Sequence, residues 1–198
     1  MPKQKIEEMH SQFIHYINRK GKTYYLHAAT TKAGCTRYVM TRLAAGALTE
    51  FPKGYVITEN VNGMVSVMRS RPRLITEAEE AMVIAGLKKL GLDQYRVAVK
   101  GAYITIYESI HVEEDELPWR GVLQETIKEI IAKMISKGPF DPVMQFHIED
   151  QEKRFFDVER MTYRGRGGWL SLHRHGTLLE LINTYFKHLG KDSFYDLM

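Results

Sequence analysis

The stretch TEAEEAMVIAGLKKLGLDQYRVAVKGAYITIYES, Thr76 to Ser109, changes from a helical period to a strand period. In its first half, Glu79 follows Thr76 by three residues, which is the pattern of a capping box, and Gly91 provides a helix end. The apolar stripe of this helix is predicted on Ala81, Met82, Ile84, Ala85 and Leu87. In the second half, apolar residues alternate on both sides of a Lys-Gly pair, which predicts a hairpin. The stretch therefore predicts a helix beside antiparallel strands.

On the N-terminal side of this stretch, five short segments show the alternation typical of half-buried strands. Turn sequences separate them, and Asn62-Gly63 predicts a two-residue hairpin turn because both residues tolerate positive φ. On the C-terminal side, the pattern predicts a helix over about 118–137, three strands, and a final helix from Thr177 to about Leu189.

The predicted fold class is therefore α+β. It consists of antiparallel β meanders packed with three helices: about five N-terminal strands, and about three C-terminal strands plus the central hairpin. Two regions are expected, a basic β-meander region at 1–73 and an α+β region at 74–198, and the two can share one core. A chain of 198 residues is long enough to bury such a core without disulfides.

The composition is that of a folded soluble chain, with 44% hydrophobic and 26% charged residues. Cys35 is the only cysteine, so no intramolecular disulfide can form. The first residues have no apolar stretch of the signal-peptide type, and no run reaches the roughly 18 apolar residues of a membrane span. We therefore expect a cytoplasmic protein that makes no use of a membrane.

The charge is distributed unevenly along the chain. Residues 1–73 contain 12 Lys and Arg against 4 Asp and Glu, residues 74–118 contain 4 against 9, and residues 119–198 contain 12 against 11. A net charge of +8 on the first of these segments would attract phosphate backbones or an acidic protein. The alternative is that the acidic middle segment neutralises it within the molecule.

Basic residues of the N-terminal meander are interleaved with tyrosines, a composition found in sheets that bind single-stranded nucleic acid. A glycine-arginine loop, RGRGG, follows later and could approach a phosphate closely, although it can also be a wide turn. The leading hypothesis is thus a polyanion-binding protein, with nucleic acid as its partner and no cofactor. Its candidate binding residues are Arg19, Lys20, Lys22, Arg37, Arg42, Arg69, Arg71, Arg73, Arg164, Arg166 and Arg174.

A second hypothesis comes from the polar face of the C-terminal meander. Alternation places two imidazoles and three carboxylates on the side opposite the core, and facing residues on neighbouring strands are about 5 Å apart at Cβ. Such a set could bind a divalent metal in a hydrolase or nuclease, or it could be a solvated sheet face. Its members are His147, Glu149, Asp157, Glu159 and His173.

A third hypothesis is a protein-interaction module that docks an acidic partner on the basic sheet. The acidic loop over 113–116 makes a second copy of the same chain one such partner, which would give a homo-oligomer. The sequence leaves open whether the protein is an enzyme.

Overall fold

The computed structural model describes residues 13–110, 139–162 and 167–197. Contacts between residues divide the chain into two compact units, Met1–Arg71 and Pro72–Met198, which we call the N-terminal and C-terminal units. The helix predicted over 118–137 and the acidic loop predicted over 113–116 lie outside the described residues.

The described residues of the N-terminal unit form five strands, and every pairing between these strands is antiparallel. The first three strands form one sheet in the order β1-β2-β3, and the last two form a separate ribbon. The meander is therefore divided between two sheets. The strands are β1 His15–Ile17, β2 Thr23–Thr30, β3 Thr36–Thr41, β4 Tyr55–Glu59 and β5 Val65–Arg69.

The two sheets of the N-terminal unit meet where β3 approaches β5. Leu26 pairs with Met40 in the centre of the first sheet and is fully buried. The ring of Tyr38 on the same face lies edge-to-face with the ring of Tyr55 on the ribbon, with centroids 4.8 Å apart. Leu26, Tyr38 and Met40 therefore form the face of the first sheet that packs on the ribbon.

The C-terminal unit contains one antiparallel sheet in the order β10-β9-β8-β7-β6, together with two described helices. The central hairpin and the C-terminal meander, predicted as separate parts, thus belong to one five-stranded sheet. Its elements are α1 Glu77–Lys89, β6 Tyr95–Lys100, β7 Tyr103–Ser109, β8 Phe140–Asp150, β9 Phe155–Thr162, β10 Gly168–Thr177 and α2 Leu178–Tyr185.

Both helices begin at the predicted caps. Thr76 and Glu79 form a complete capping box at α1, and Thr177 and Glu180 form another at α2. The α-helical part of α2 ends at Tyr185, and the helical run continues as a 3₁₀ turn over Phe186–His188 to the predicted end near Leu189. The caps are local hydrogen bonds between residues three apart, so the sequence alone predicts them.

The predicted apolar stripe of α1 is also wrong in part. Val83 and Leu87 are buried, whereas Met82 and Ile84 are exposed. The four residues from Met82 to Ala85 are all apolar, so periodicity alone does not select one face. Contact with α2 decides which face of α1 is buried. The two helices approach closely at Gly86, where an added Cβ would lie 2.8 Å from Cγ2 of Ile182.

The core of the C-terminal unit lies between one face of the sheet and the two helices. Fully buried side chains on that face include Ile104, Phe146 and Phe156, and Phe186 covers them from the helical layer. This arrangement confirms the α+β class with antiparallel strands. No helix in the described ranges is long and apolar enough to span a bilayer.

The Asn62-Gly63 turn differs from its prediction. Gly63 has φ 77°, but Asn62 does not have positive φ, so the two-residue turn is absent. Instead Asn60 and Met64 pair around a three-residue loop, in which the amide of Gly63 donates to the carbonyl of Asn60 at 2.9 Å. This is the common three-residue hairpin with glycine in the left-handed conformation.

Candidate functional site

Three loops of the N-terminal unit share one hydrogen-bond pattern. They are 18–22, 31–35 and 60–64, and each has a left-handed glycine at its fourth position. In each loop, a side-chain oxygen of the first residue, Asn or Thr, accepts the amide of the fifth residue at 2.9 to 3.1 Å. These bonds fix the loops that carry Arg19, Lys20, Lys22 and Lys32.

The first and third of these loops interlock. Asn18 is 4% exposed, and its Nδ2 donates to the carbonyl of Gly63 at 2.7 Å. Nε of Arg19 lies 2.9 Å from Oε1 of Glu59, and the hydroxyl of Tyr16 donates to Oε2 at 3.0 Å. The carboxylate of Glu59 therefore binds Arg19 through one oxygen and Tyr16 through the other, and its negative charge neutralises the charge of Arg19.

The same contacts shift two pKa values. The hydrogen bond to Glu59 raises the pKa of the Tyr16 hydroxyl. Burial alone would raise the pKa of Glu59, but bonds from the Arg19 amide, Tyr16 and the Arg19 side chain outweigh burial and lower it. Glu59 therefore stays ionised, and Arg19 is a structural cation and not a free one.

The other predicted cations of the N-terminal unit are exposed. Arg19–Glu59 is the only ion pair within residues 13–71. The guanidinium carbon of Arg42 lies 5.9 Å from the ring centroid of Tyr24. The exposed Lys and Arg side chains that make no ion pair in this part of the chain are Lys20, Lys22, Lys32, Arg37, Arg42, Lys53, Arg69 and Arg71.

Several of these cations meet at the end of the β4–β5 ribbon that carries Tyr55, which we call the Tyr55 end and define by Lys53, Tyr55, Arg69 and Arg71. Tyr55 pairs directly with Arg69, so their Cβ atoms are about 5 Å apart. The amide of Ser70 donates to the carbonyl of Gly54 at 2.8 Å, which continues the ribbon between Lys53 and Arg71. Glu59 lies at the opposite end of β4.

Arg73 and Arg174 belong to the C-terminal unit. Nη2 of Arg73 lies 2.6 Å from Oε2 of Glu80, so Arg73 is already paired. Arg174 is exposed just before α2. The backbone amide of Thr177 at the start of this helix donates to the carboxylate of Glu180 at 3.0 Å, so this amide is not free to bind an anion beside Arg174. Arg164 and Arg166 lie outside the described residues.

Of the five predicted histidine and carboxylate residues, all but His173 belong to the sheet face of the C-terminal unit that is opposite the described helices. One row across all five strands runs Lys100, Tyr103, His147, Asp157 and His175. In the next row Glu159 accepts a hydrogen bond from Gln145 and pairs with Ser171. The ring of His147 is stacked on Tyr103, with centroids 4.5 Å apart.

A β-bulge changes which histidine joins this row. The register between β9 and β10 shifts between Ser171 and His175, and His173 takes φ 50° inside the bulge. His173 is therefore displaced from the face on which strict alternation placed it. His175 lies opposite Asp157 instead, and its Nδ1 is 2.8 Å from Oε2 of Glu149.

Asp157 lies at the centre of this face. Its Oδ2 accepts a hydrogen bond from the Ser171 hydroxyl at 3.2 Å, and its Oδ1 is buried 4.0 Å from Nδ1 of His175. Oδ1 has no hydrogen-bond partner among the described residues. No group of three or more His, Cys, Asp or Glu residues in the described ranges is arranged to hold a metal ion.

Sequence reasoning missed His175 and Tyr103 as members of this face. Tyr103 follows from alternation once β7 and β8 are known to be neighbours, which the sequence did not show. The bulge that brings in His175 has no glycine to mark it, since its left-handed residue is a histidine.

Comparison with known proteins adds no functional assignment. No protein-family model, no curated protein and no solved structure matches the chain.

Proposed function

We propose that the N-terminal unit binds a polyanion, and specifically nucleic acid, through the Tyr55 end. The observation that carries the proposal is the pairing of Tyr55 with Arg69 in a ribbon whose adjoining residues, Lys53 and Arg71, are exposed cations. A half-buried aromatic ring among unpaired cations can contact both a base and the phosphates beside it.

The charge balance supports this proposal. Residues 13–71 contain nine Lys and Arg against two acidic residues, Glu50 and Glu59. Glu59 is engaged with Arg19 away from the Tyr55 end, and Glu50 makes no ion pair within the described residues. Exposed cations that lack carboxylate partners can release counterions from a phosphate backbone, which is the main source of affinity for nucleic acid.

The test is a binding isotherm with a fluorescent single-stranded oligonucleotide over about 50 to 200 mM salt, where counterion release makes affinity fall steeply. We expect the logarithm of affinity to fall linearly with the logarithm of salt concentration. The double variant Arg69→Gln/Arg71→Gln should make the slope shallower by about 0.7 for each phosphate that the protein no longer neutralises.

The matched control is Lys88→Gln/Lys89→Gln at the exposed end of α1, which removes the same charge from the C-terminal unit. It should leave the slope unchanged. Undetectable binding at low salt, or an equal effect of the two double variants, would contradict the proposal. A cytoplasmic location, where nucleic acid is present, fits this function and stays a prediction.

A further inference from the structure

The ring of Tyr55 is held in a fixed orientation. Its edge-to-face contact with Tyr38 has an interplanar angle of 72°, and both side chains are half-buried. Edge-to-face packing is favourable because the positive edge of one ring meets the negative face of the other. A ring fixed in this way loses little further freedom when a ligand stacks on it.

The cations near the Tyr55 ring are placed where the phosphates of a stacked nucleotide would lie. Arg69 is the direct cross-strand neighbour of Tyr55, so their Cβ atoms are about 5 Å apart and the exposed Arg69 side chain starts beside the ring. Arg71 follows two residues later, so its Cα lies at most about 7 Å further along the chain. A base on Tyr55 would thus have cations within reach of its own phosphate and of the next one.

The geometry points to a single-stranded nucleic acid as the ligand of the Tyr55 end, with one base stacked on Tyr55. This inference rests on the proposed polyanion-binding function and specifies its ligand. In a duplex both faces of each internal base are covered by neighbouring base pairs, so a protein ring cannot stack there without flipping the base out. Single strands expose base faces, and stacking on aromatic side chains tolerates any sequence.

The first experiment uses the unaltered full chain and changes only the ligand. Affinity is measured at one salt concentration for a single-stranded oligonucleotide, for an abasic strand of the same length, and for inorganic polyphosphate of similar charge. We expect the oligonucleotide to bind about tenfold more tightly than the abasic strand, as stacking of one base provides.

The outcomes separate the two claims. Binding of polyphosphate and the abasic strand with the same affinity as the oligonucleotide overturns the stacking inference and retains polyanion binding. No binding of any of the three overturns the proposed function itself. A duplex of the same sequence that binds more tightly than the single strand also overturns the inference.

The second experiment changes the ring. Tyr55→Leu should lose about tenfold in affinity for the oligonucleotide while polyphosphate binding, which reports an intact unit, is unchanged. Tyr55→Phe keeps a stacking face and should retain the affinity. Tyr103→Leu is the matched control, because Tyr103 is 40% exposed on the C-terminal sheet and should not affect either ligand. Equal affinities of Tyr55→Leu and Tyr55→Phe for the oligonucleotide would overturn the inference.

Discussion

Arg154, between β8 and β9, forms a two-bond salt bridge with the carboxylate of Glu79 in the first turn of α1. Nε of Arg154 donates to Oε1 of Glu79 at 2.8 Å, and Nη2 donates to Oε2 and to the carbonyl of Leu74. Arg154 takes φ 53°, which is uncommon for a residue with a side chain. One carboxylate therefore caps a helix and anchors a distant turn.

Glu79 should carry much of the acid sensitivity of the C-terminal unit. Burial alone would raise the pKa of Glu79, but hydrogen bonds from Arg154 and from Thr76 outweigh burial and lower the pKa below its ordinary value. Because the folded pKa is the lower one, its contribution is present at neutral pH and is lost as the pH falls below about 4.3, the value for an unfolded glutamate.

We expect Glu79→Gln to lower the free energy of unfolding at pH 7 by about 1–3 kcal/mol and to weaken the pH dependence below about pH 4.3. Urea unfolding at a series of pH values measures both effects. The neighbouring Glu80→Gln is the control, because Glu80 pairs with Arg73 at a more exposed site and should cost at most about 1 kcal/mol. Equal losses for the two variants would contradict the role assigned to Arg154.

Asn18 and Asn60 allow a comparison within the N-terminal unit. Each accepts two amides of its own loop, but only Asn18 also donates across to the carbonyl of Gly63. Asn18→Ala should cost about 2–3 kcal/mol because it leaves a buried carbonyl without its donor, whereas Asn60→Ala should cost about 1 kcal/mol. Urea unfolding followed by circular dichroism gives both values, and the reverse order would show that the interlocked loops contribute little.

Gly86 is predicted to be required for close packing of the two helices. Alanine has a higher helix propensity than glycine by about 1 kcal/mol. An added Cβ would nevertheless lie 2.8 Å from Ile182 and 3.0 Å from Phe186, so Gly86→Ala should destabilise the unit by about 1–3 kcal/mol. Thermal unfolding measures the sign, and Ala85→Gly on the exposed side gives the propensity effect alone. A stabilised Gly86→Ala variant would contradict the packing.

His173 provides a test of the bulge in β10. A position with left-handed backbone conformation tolerates glycine well and a β-branched residue poorly. A regular strand position instead favours valine over glycine by about 1 kcal/mol. His173→Gly should therefore unfold at a higher urea concentration than His173→Val. The opposite order would place His173 in a regular strand and restore the alternation that the sequence predicts.

Local interactions account for what the sequence predicted well. The capping boxes at Thr76 and Thr177 connect residues three apart, and the buried sides of β8 and β9 follow from simple alternation of residues such as Phe146 and Val158. The placement of the candidate cations on exposed positions such as Arg69 and Arg71 also follows from polarity.

The sequence by itself determined the class of the fold, the starts of both described helices and the sides of β8 and β9 that enter the core, because these depend on hydrogen bonds and periods within a few residues. Tertiary structure decided that Val83 and not Met82 is buried, that Glu59 neutralises Arg19, and that Tyr38 orients Tyr55. Each of these depends on a partner that is distant in sequence, and the free energy of packing selects that partner only when the strands and helices come together.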